Sequence, residues 1–327
     1  MKSNHFFSVL FAAFGCAVAS VNAQPSRAFW QQESASRVHD PSTIVREGNE
    51  YWMFSTGMGI KSHHSTNLLD WQSGPPVLPQ MPDWVRDVVP DQRGHYWAPD
   101  VINVGGRWLL YYSVSSFGKN TSAIALLSNP TLDPKNPQFK WTDEGIVVRS
   151  LRTNQFNTID PAVSFDAAGR LWLAFGSYWT GIKLIELDAQ TGKRIAPDSP
   201  MHSLAWNDHI EAAYLHREGT NYYLFVNWGQ CCQGTNSSYE IRVGRSADIT
   251  GPYRDRDGHD LLHAGGTKVI SREGRFIGPG HAGIFNDGTQ EWFSFHYYDG
   301  NNQGRPAIAV RKLSWDKDGW PVVAKSE

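Results

Sequence analysis

Apolar residues fall in short runs separated by Gly-, Asn- and Asp-containing turns, and no stretch keeps the three- and four-residue spacing of a useful amphipathic helix. One pattern recurs five times: a polar residue, a small residue or Pro, a short apolar stretch, a Gly turn, then an aromatic-rich strand. The copies are HDPSTIVREGNEYWMFST, WAPDVINVGGRWLLYYSV, IDPAVSFDAAGRLWLAFGS, IEAAYLHREGTNYYLFVNW and GHAGIFNDGTQEWFSFHYY. Each predicts a β-hairpin with Gly48, Gly106, Gly169, Gly219 or Gly288 in its turn. Further strand-like runs such as SAIALLSNP and YEIRVGRSAD lie between copies. Four strands in roughly 60 residues make one propeller blade. The pattern therefore predicts an all-β, five-bladed β-propeller, with AVRKLSWDKDGWPVVA as a closing hairpin turning at Asp318-Gly319.

Residues 1–23 read as a signal peptide. Lys2 supplies a positive start, residues 6–19 are small and apolar, and Val21-Asn22-Ala23 offers a cleavage site before Gln24. The apolar run is shorter than the ~20 residues of a membrane span. The expectation is an exported protein, secreted or periplasmic, whose residues 24–327 form a single catalytic propeller domain. Its only two cysteines outside that segment, Cys231 and Cys232, are neighbours and can join only each other.

Charge narrows the partners. Lys+Arg 30 against Asp+Glu 32 gives a net charge of -2 over 327 residues. No basic excess exists to hold a phosphate backbone, so nucleic acid is not an expected partner. The chain is expected to act as a monomer without a membrane partner. Its 14 Trp, 12 Tyr and 16 Phe suit a site for sugar rings, although a large β core uses aromatics equally well.

Aligned on the Pro or its replacement, the five copies place Asp40, Ala98, Asp160, Glu211 and His281 in equivalent positions. In a propeller such positions converge at one end of the channel. Three carboxylates gathered there raise one another's pKa, which glycoside hydrolysis needs: one protonated acid and one ionised carboxylate. Glu211 has the longer reach and suits the acid, Asp40 the base, and Asp160 the group that keeps Glu211 protonated. Pro41 and Pro161 present the two aspartates at strand mouths. Because the position varies from copy to copy, one composite site is favoured over a sugar-binding propeller that repeats its site in every blade.

These segments, together with FGSYWTGIKLIELD, CCQGTNSSYEIRVGRS and GPGHAG, resemble glycoside hydrolase family 43, most of all its endo-arabinanase branch. The resemblance spans about Val38 to Pro321. It implies an inverting hydrolase of internal α-1,5-linked L-arabinofuranosyl bonds in arabinan or arabino-oligosaccharides, with Asp40 as base, Glu211 as acid and Asp160 as pKa modulator. It implies substrate contacts at Asp40, Phe117, Gly118, Asn157, Thr158, Ile159, Asp160, Ser177, Tyr178 and Trp179. It also implies one ion, Ca2+ or another, near His281, and no organic cofactor. The physics of Ca2+, which prefers oxygen shells, would not by itself place calcium at a histidine. Exo-acting arabinofuranosidases and β-xylosidases of the same fold stay open as alternatives. Beside these, Asp100 is expected to be a structural partner for Arg305. Trp97 is a candidate sugar-stacking residue, His39 a candidate substrate contact, and His63 and His64 loop residues.

Overall fold

The computed structural model describes residue 1 and residues 37–325. The signal segment, apart from its first residue, lies outside that range. The described chain forms five antiparallel meanders arranged as a five-bladed β-propeller. Blade I holds Val45–Glu47, Glu50–Ser55, Lys61–Ser65 and Gln72–Ser73. Blade II holds His95–Val104, Arg107–Val114, Ser122–Asn129 and Thr142–Ser150. Blade III is built from Ala162–Phe165, Leu171–Phe175, Ile182–Leu187 and Met201–Ala205. Blade IV has Ile210–Glu218, Asn221–Trp228, Glu240–Ser246 and Thr267–Ile270. Blade V has Phe276–Asn286, Glu291–Asp299, Arg305–Trp315 and Pro321–Val323. A two-residue strand, Gly57–Met58, leaves blade I to pair with Tyr96 and His95 of blade II.

The hairpin reading holds at its turns. Gly48 sits at φ +59° and Gly288 at φ +93°, conformations that glycine alone adopts freely. The segment around Asp318-Gly319 does form a hairpin, but it completes blade V rather than joining the two ends of the ring. His63 and His64 are not loop residues. Both lie in the third strand of blade I, where His63 is buried against Ser55 Oγ (2.9 Å) and His64 stacks on Trp52. Burial drives the His63 pKa down to about 3, so that ring is a neutral core residue.

The apolar core is divided among the seams between blades. Five clusters of buried side chains exist among the described residues, one at each seam. This follows from the strand period of two: each sheet buries both faces, one against each neighbouring blade. The first strands of blades II, III, IV and V lie against one another in succession around the channel. Asp100 ties blades I, II and III together. Its Oδ1 accepts from the Thr43 N–H (3.0 Å) and its Oδ2 from the Val163 N–H (2.9 Å). Its structural role is thus borne out, but its partners are backbone amides of blades I and III, and Arg305 is exposed.

Candidate active site

The site grows out of a repeated backbone irregularity. Asp40, Ala98, Asp160, Ala212 and His281 all adopt positive φ, from 45° to 60°. In blades II, IV and V the pairing slips by one residue there, as between Trp97↔Ser113 and Asp100↔Tyr111. Each is a β-bulge, which bends the strand and re-aims the side chain. Four of the five sites share one lock. The Ala98 N–H donates to Thr56 Oγ1 (2.8 Å), the Asp160 N–H to Ser113 Oγ (2.9 Å), the His281 N–H to Asn227 Oδ1 (3.1 Å) and the Asp40 N–H to His296 Nδ1 (3.1 Å). In each case the acceptor sits on, or just past, the preceding blade's second strand.

Blade III breaks the pattern. The equivalent acceptor position is Gly176, where a Cβ would lie 2.4 Å from the Gly181 carbonyl oxygen. The Ala212 N–H turns instead to Asp160 Oδ2 (3.1 Å). Asp160 is thereby fixed against the strand that carries Glu211.

The repeat alignment needs one correction. The fourth equivalent position is Ala212, not Glu211. Glu211 lies one residue earlier, level with Trp97 and Gly280, and pairs with Asn227 before the bulge. The reason is the missing anchor: the fourth copy has no Pro, and Ala212 and Ala213 fill its place equally well, which leaves the register open by one residue. The structure nonetheless brings the three carboxylates together, since Glu211 feels the charges of both Asp160 and Asp40.

Their environments differ sharply. Asp40 Oδ2 lies 2.7 Å from His39 Nδ1 and accepts from Thr56 Oγ1 at 2.6 Å. Its Oδ1 lies 3.3 Å from His281 Nδ1. Burial alone would raise this carboxyl, but His39 and His281 outweigh burial and hold it well below the usual range. Glu211, 8% exposed, accepts one hydrogen bond from Ser177 Oγ (2.8 Å). Burial, then the charge of Asp160, pushes its pKa up to about 8. Burial also raises Asp160, to about 6, against the opposing pull of His281 and the Ala212 N–H. The side-chain partners of the three are His39, His281, His296, Thr56 and Ser177.

The remaining expected residues divide into two groups. Ser177 and Tyr178 stand beside Glu211, and Trp179 and Phe117 are 40% and 77% exposed at the rim. Phe117, next to Gly118 at φ +70°, packs on Trp97 with ring centroids 4.8 Å apart. Asn157, Thr158 and Ile159 form the buried approach to Asp160. Asn157 Oδ1 accepts from Ser122 Oγ (2.8 Å), the Thr158 N–H donates to Ser150 Oγ (3.1 Å), and the Ile159 carbonyl accepts from the Gly176 N–H. Of these contacts only that of Asn157 is made by its side chain, and the Thr158 hydroxyl is buried without a hydrogen bond. Sequence reasoning missed Thr56 and His296, which hold Asp40. The signal was available, since both occupy the place that Ser113 and Asn227 fill in other blades.

The histidines bear on whether an ion fits. His39, Asp40 and His296 bring three possible ligand atoms within 4.8 Å. That trio is already spent on hydrogen bonds, because His296 Nδ1 receives the Asp40 N–H and His39 Nδ1 faces Asp40. His281 Nδ1 is buried without a hydrogen bond. Burial disfavours charge on this ring, but Asp40, Asp160 and Glu211 together raise its pKa to about 9. A cation or a protonated imidazole would serve the same surplus of negative charge. The opposite end of the channel opens into a cavity of about 540 Å3, lined among others by Arg46, Asn103, Phe165 and His216, and none of the three carboxylates reaches it.

The sequence profile of glycosyl hydrolases family 43 matches residues 34–321. An extracellular exo-α-(1→5)-L-arabinofuranosidase of Cellvibrio japonicus is 38% identical over 304 residues, covering 89% of this chain and 87% of its own. An extracellular endo-α-(1→5)-L-arabinanase of Bacillus subtilis is 38% identical over 325 residues, covering 97% and 96%. Among solved structures, an exo-1,5-α-L-arabinanase from a bovine ruminal metagenomic library superposes with a TM-score of 0.85 at 41% identity, covering 90% of this chain and 99% of that one. A Cellvibrio cellulosa α-L-arabinanase complexed with arabinohexaose gives 0.84 at 37% identity, covering 89% and 96%.

Proposed function

From the fact that the chain belongs to glycosyl hydrolases family 43, we propose that it is an inverting arabinanase that hydrolyses internal α-1,5-linked L-arabinofuranosyl bonds. Arabinan and arabino-oligosaccharides are its substrates. The observation that carries the mechanism is the split between two carboxyls of one buried cluster: Asp40 held ionised by its histidines, Glu211 held protonated up to about pH 8. That split supports Glu211 as the acid and Asp40 as the base. Glu211 donates its proton to the leaving oxygen while Asp40 takes one from the attacking water. Asp160 keeps Glu211 protonated through its charge and holds the Ala212 backbone beside it. An inverting pair needs room for that water, so the two carboxyl groups should stand ~6.5–9.5 Å apart.

Endo action is supported by the Bacillus subtilis relative, which is matched along 96% of its length. The exo reading has its own support in the ruminal structure at 41% identity. Product analysis on linear arabinan separates them. A ladder of oligosaccharides in the first minutes supports internal cleavage, and one small product from the start supports exo action. Proton NMR of the first-formed anomer tests inversion, and a retained configuration would overturn the base assignment.

Phe117, Gly118, Ser177, Tyr178 and Trp179 are the proposed substrate contacts on the rim, joined by Asp40, Asp160 and the segment 157–159. Residues 24–327 act as one catalytic unit, monomeric and exported, in keeping with the extracellular relatives. An ion, Ca2+ or another, would take His281 as its one protein ligand, with waters supplying the oxygen-rich shell. Such an ion would supply positive charge beside Asp40 and Asp160. Dialysis against a chelator tests it: activity lost and restored by Ca2+ supports the ion, whereas unchanged activity and melting temperature leave His281 as the ion-pair partner of Asp40.

A further inference from the structure

Neither the repeat nor the acid–base pair accounts for the adjacent cysteines. Cys231 and Cys232 are joined by a disulfide, and Cys232 sits at φ +65°. The peptide N–H of Cys232 donates to the Tyr298 hydroxyl at 2.7 Å. That hydroxyl lies 2.7 Å from His39 Nε2, and His39 Nδ1 lies 2.7 Å from Asp40 Oδ2. We propose that His39 is a positioning residue for Asp40, held in one tautomer by a hydrogen-bond relay that starts at the peptide of Cys232. The proposal rests on the reading of Asp40 as the base.

The donor directions follow from the chemistry of each group. An ionised carboxylate only accepts, so His39 Nδ1 carries the proton that points at Asp40. The Tyr298 oxygen accepts from Cys232, and in the proposed relay its own hydrogen points at Nε2. The ring of that relay has an N–H at Nδ1 and a lone pair at Nε2, and a flipped ring would lose both partners. A second contact keeps it flat. His39 stacks on His296 with centroids 4.3 Å apart and an interplanar angle of 22°. The far end of the relay is equally fixed. The disulfide ties Cys232 to its neighbour, and the flanking N–H groups of Gln230 and Gln233 donate to Ser238 Oγ and Ser237 Oγ.

The relay selects the working atom of the base. Asp40 Oδ2 receives both the His39 Nδ1–H and the Thr56 Oγ1–H. Its two lone pairs are thereby occupied. Oδ1 has His281 Nδ1 at 3.3 Å and His296 Nδ1 at 3.6 Å, the latter nitrogen already accepting the Asp40 N–H, and it is the oxygen with a lone pair left to take a proton from water. Releasing His39 would let the carboxylate rotate and put the wrong lone pairs toward the water. A misplacement of about 1 Å at a reacting group can cost about 100-fold in rate.

Steady-state kinetics on an arabino-oligosaccharide and 15N NMR of the His39 ring test this. His39→Leu should lower kcat about 100-fold with KM unchanged. His39→Asn should recover much of that loss, because its amide N–H can replace Nδ1–H toward Oδ2. Tyr298→Phe removes one oxygen and keeps the ring packing. It should lower kcat less, and the NMR should pass from a pure Nδ1–H tautomer in the wild type to a mixture. Replacing both cysteines by Ser (Cys231→Ser with Cys232→Ser) should act like Tyr298→Phe. An Nδ1-deprotonated ring in the wild type, full kcat in His39→Leu, or a rise in KM alone would overturn the proposal. Asp40→Asn separates the two levels. If it is inactive while His39→Leu keeps full turnover, only the relay fails; if it keeps full turnover, the base reading fails and the relay with it.

Discussion

Between blades II and III the seam is dry from both sides, with Leu109, Tyr111 and Leu126 meeting Val163, Leu173 and Phe175. Between blades V and I it is not. The buried members there are Val38, Ile44, Met53 and Leu68, all from blade I and the segment leading into it, and blade V contributes only half-buried side chains such as Phe285 and Ile308. Among the described residues no strand is shared between the two blades to close the ring. Polar contacts take that place: the Asp40 N–H to His296, His39 to Tyr298, and His281 beside Asp40. The ring is closed by the same groups that hold Asp40. At the III–IV seam the Asp160–Ala212 and Ser177–Glu211 contacts are added to a fully buried apolar cluster, whereas between blades V and I the contacts of the site stand in for such a cluster.

Breaking the comparison at its strongest point means removing Asp40. Asp40→Ala should lower turnover by about 10²–10⁴-fold on every substrate, because each needs the activated water. Glu211→Ala should cost as much on poor leaving groups, yet little on an aryl arabinoside that leaves without a proton. Comparing the two variants on both substrate types checks this, and the assignment is lost if the leaving-group dependence appears in Asp40→Ala instead.

Stability sharpens the contrast next. Leu173→Ala, in the dry seam, should fall toward the upper end of the about 2–5 kcal/mol typical of such truncations. Met53→Ala, in the closing seam, should fall toward the lower end, since half-buried neighbours can relax into the space. Urea midpoints give both values. Equal losses at the two sites would show that the closing seam packs as tightly as the rest.

The unequal seams also explain what the sequence could reveal. Five copies of one hairpin pattern were legible because both faces of every blade are buried, so apolar and aromatic residues recur regardless of chemistry. Asp40 and Asp160 stood out because the repeat position tolerates many residues and theirs are acidic. Glu211 was legible as an acidic residue near the repeat position but one place out of register, because the fourth copy has two alanines and no Pro to anchor the alignment. The partners of Asp40 were hidden for another reason. His296 and Tyr298 lie more than 250 residues away along the chain, and only closure of the ring brings them to His39 and Asp40.

The smallest expected effect is a pair of opposed shifts in the pH profile. A general acid must be protonated, so kcat/KM should fall as pH rises through about 8, where Glu211 ionises. Burial is the largest cause of that high value and no single polar substitution removes it. Asp160 is the next, and its charge disfavours the ionised form of Glu211. Asp160→Asn keeps an oxygen to accept the Ala212 N–H but loses the charge, so the alkaline limb should move to lower pH. Ser177 acts the other way, since its hydroxyl donates to Glu211 and favours ionisation. Ser177→Ala should therefore move the same limb to higher pH. Profiles of kcat/KM for the wild type and both variants decide the matter. Shifts in the same direction, or a limb that ignores both substitutions, would mean that a group other than Glu211 sets the alkaline limit.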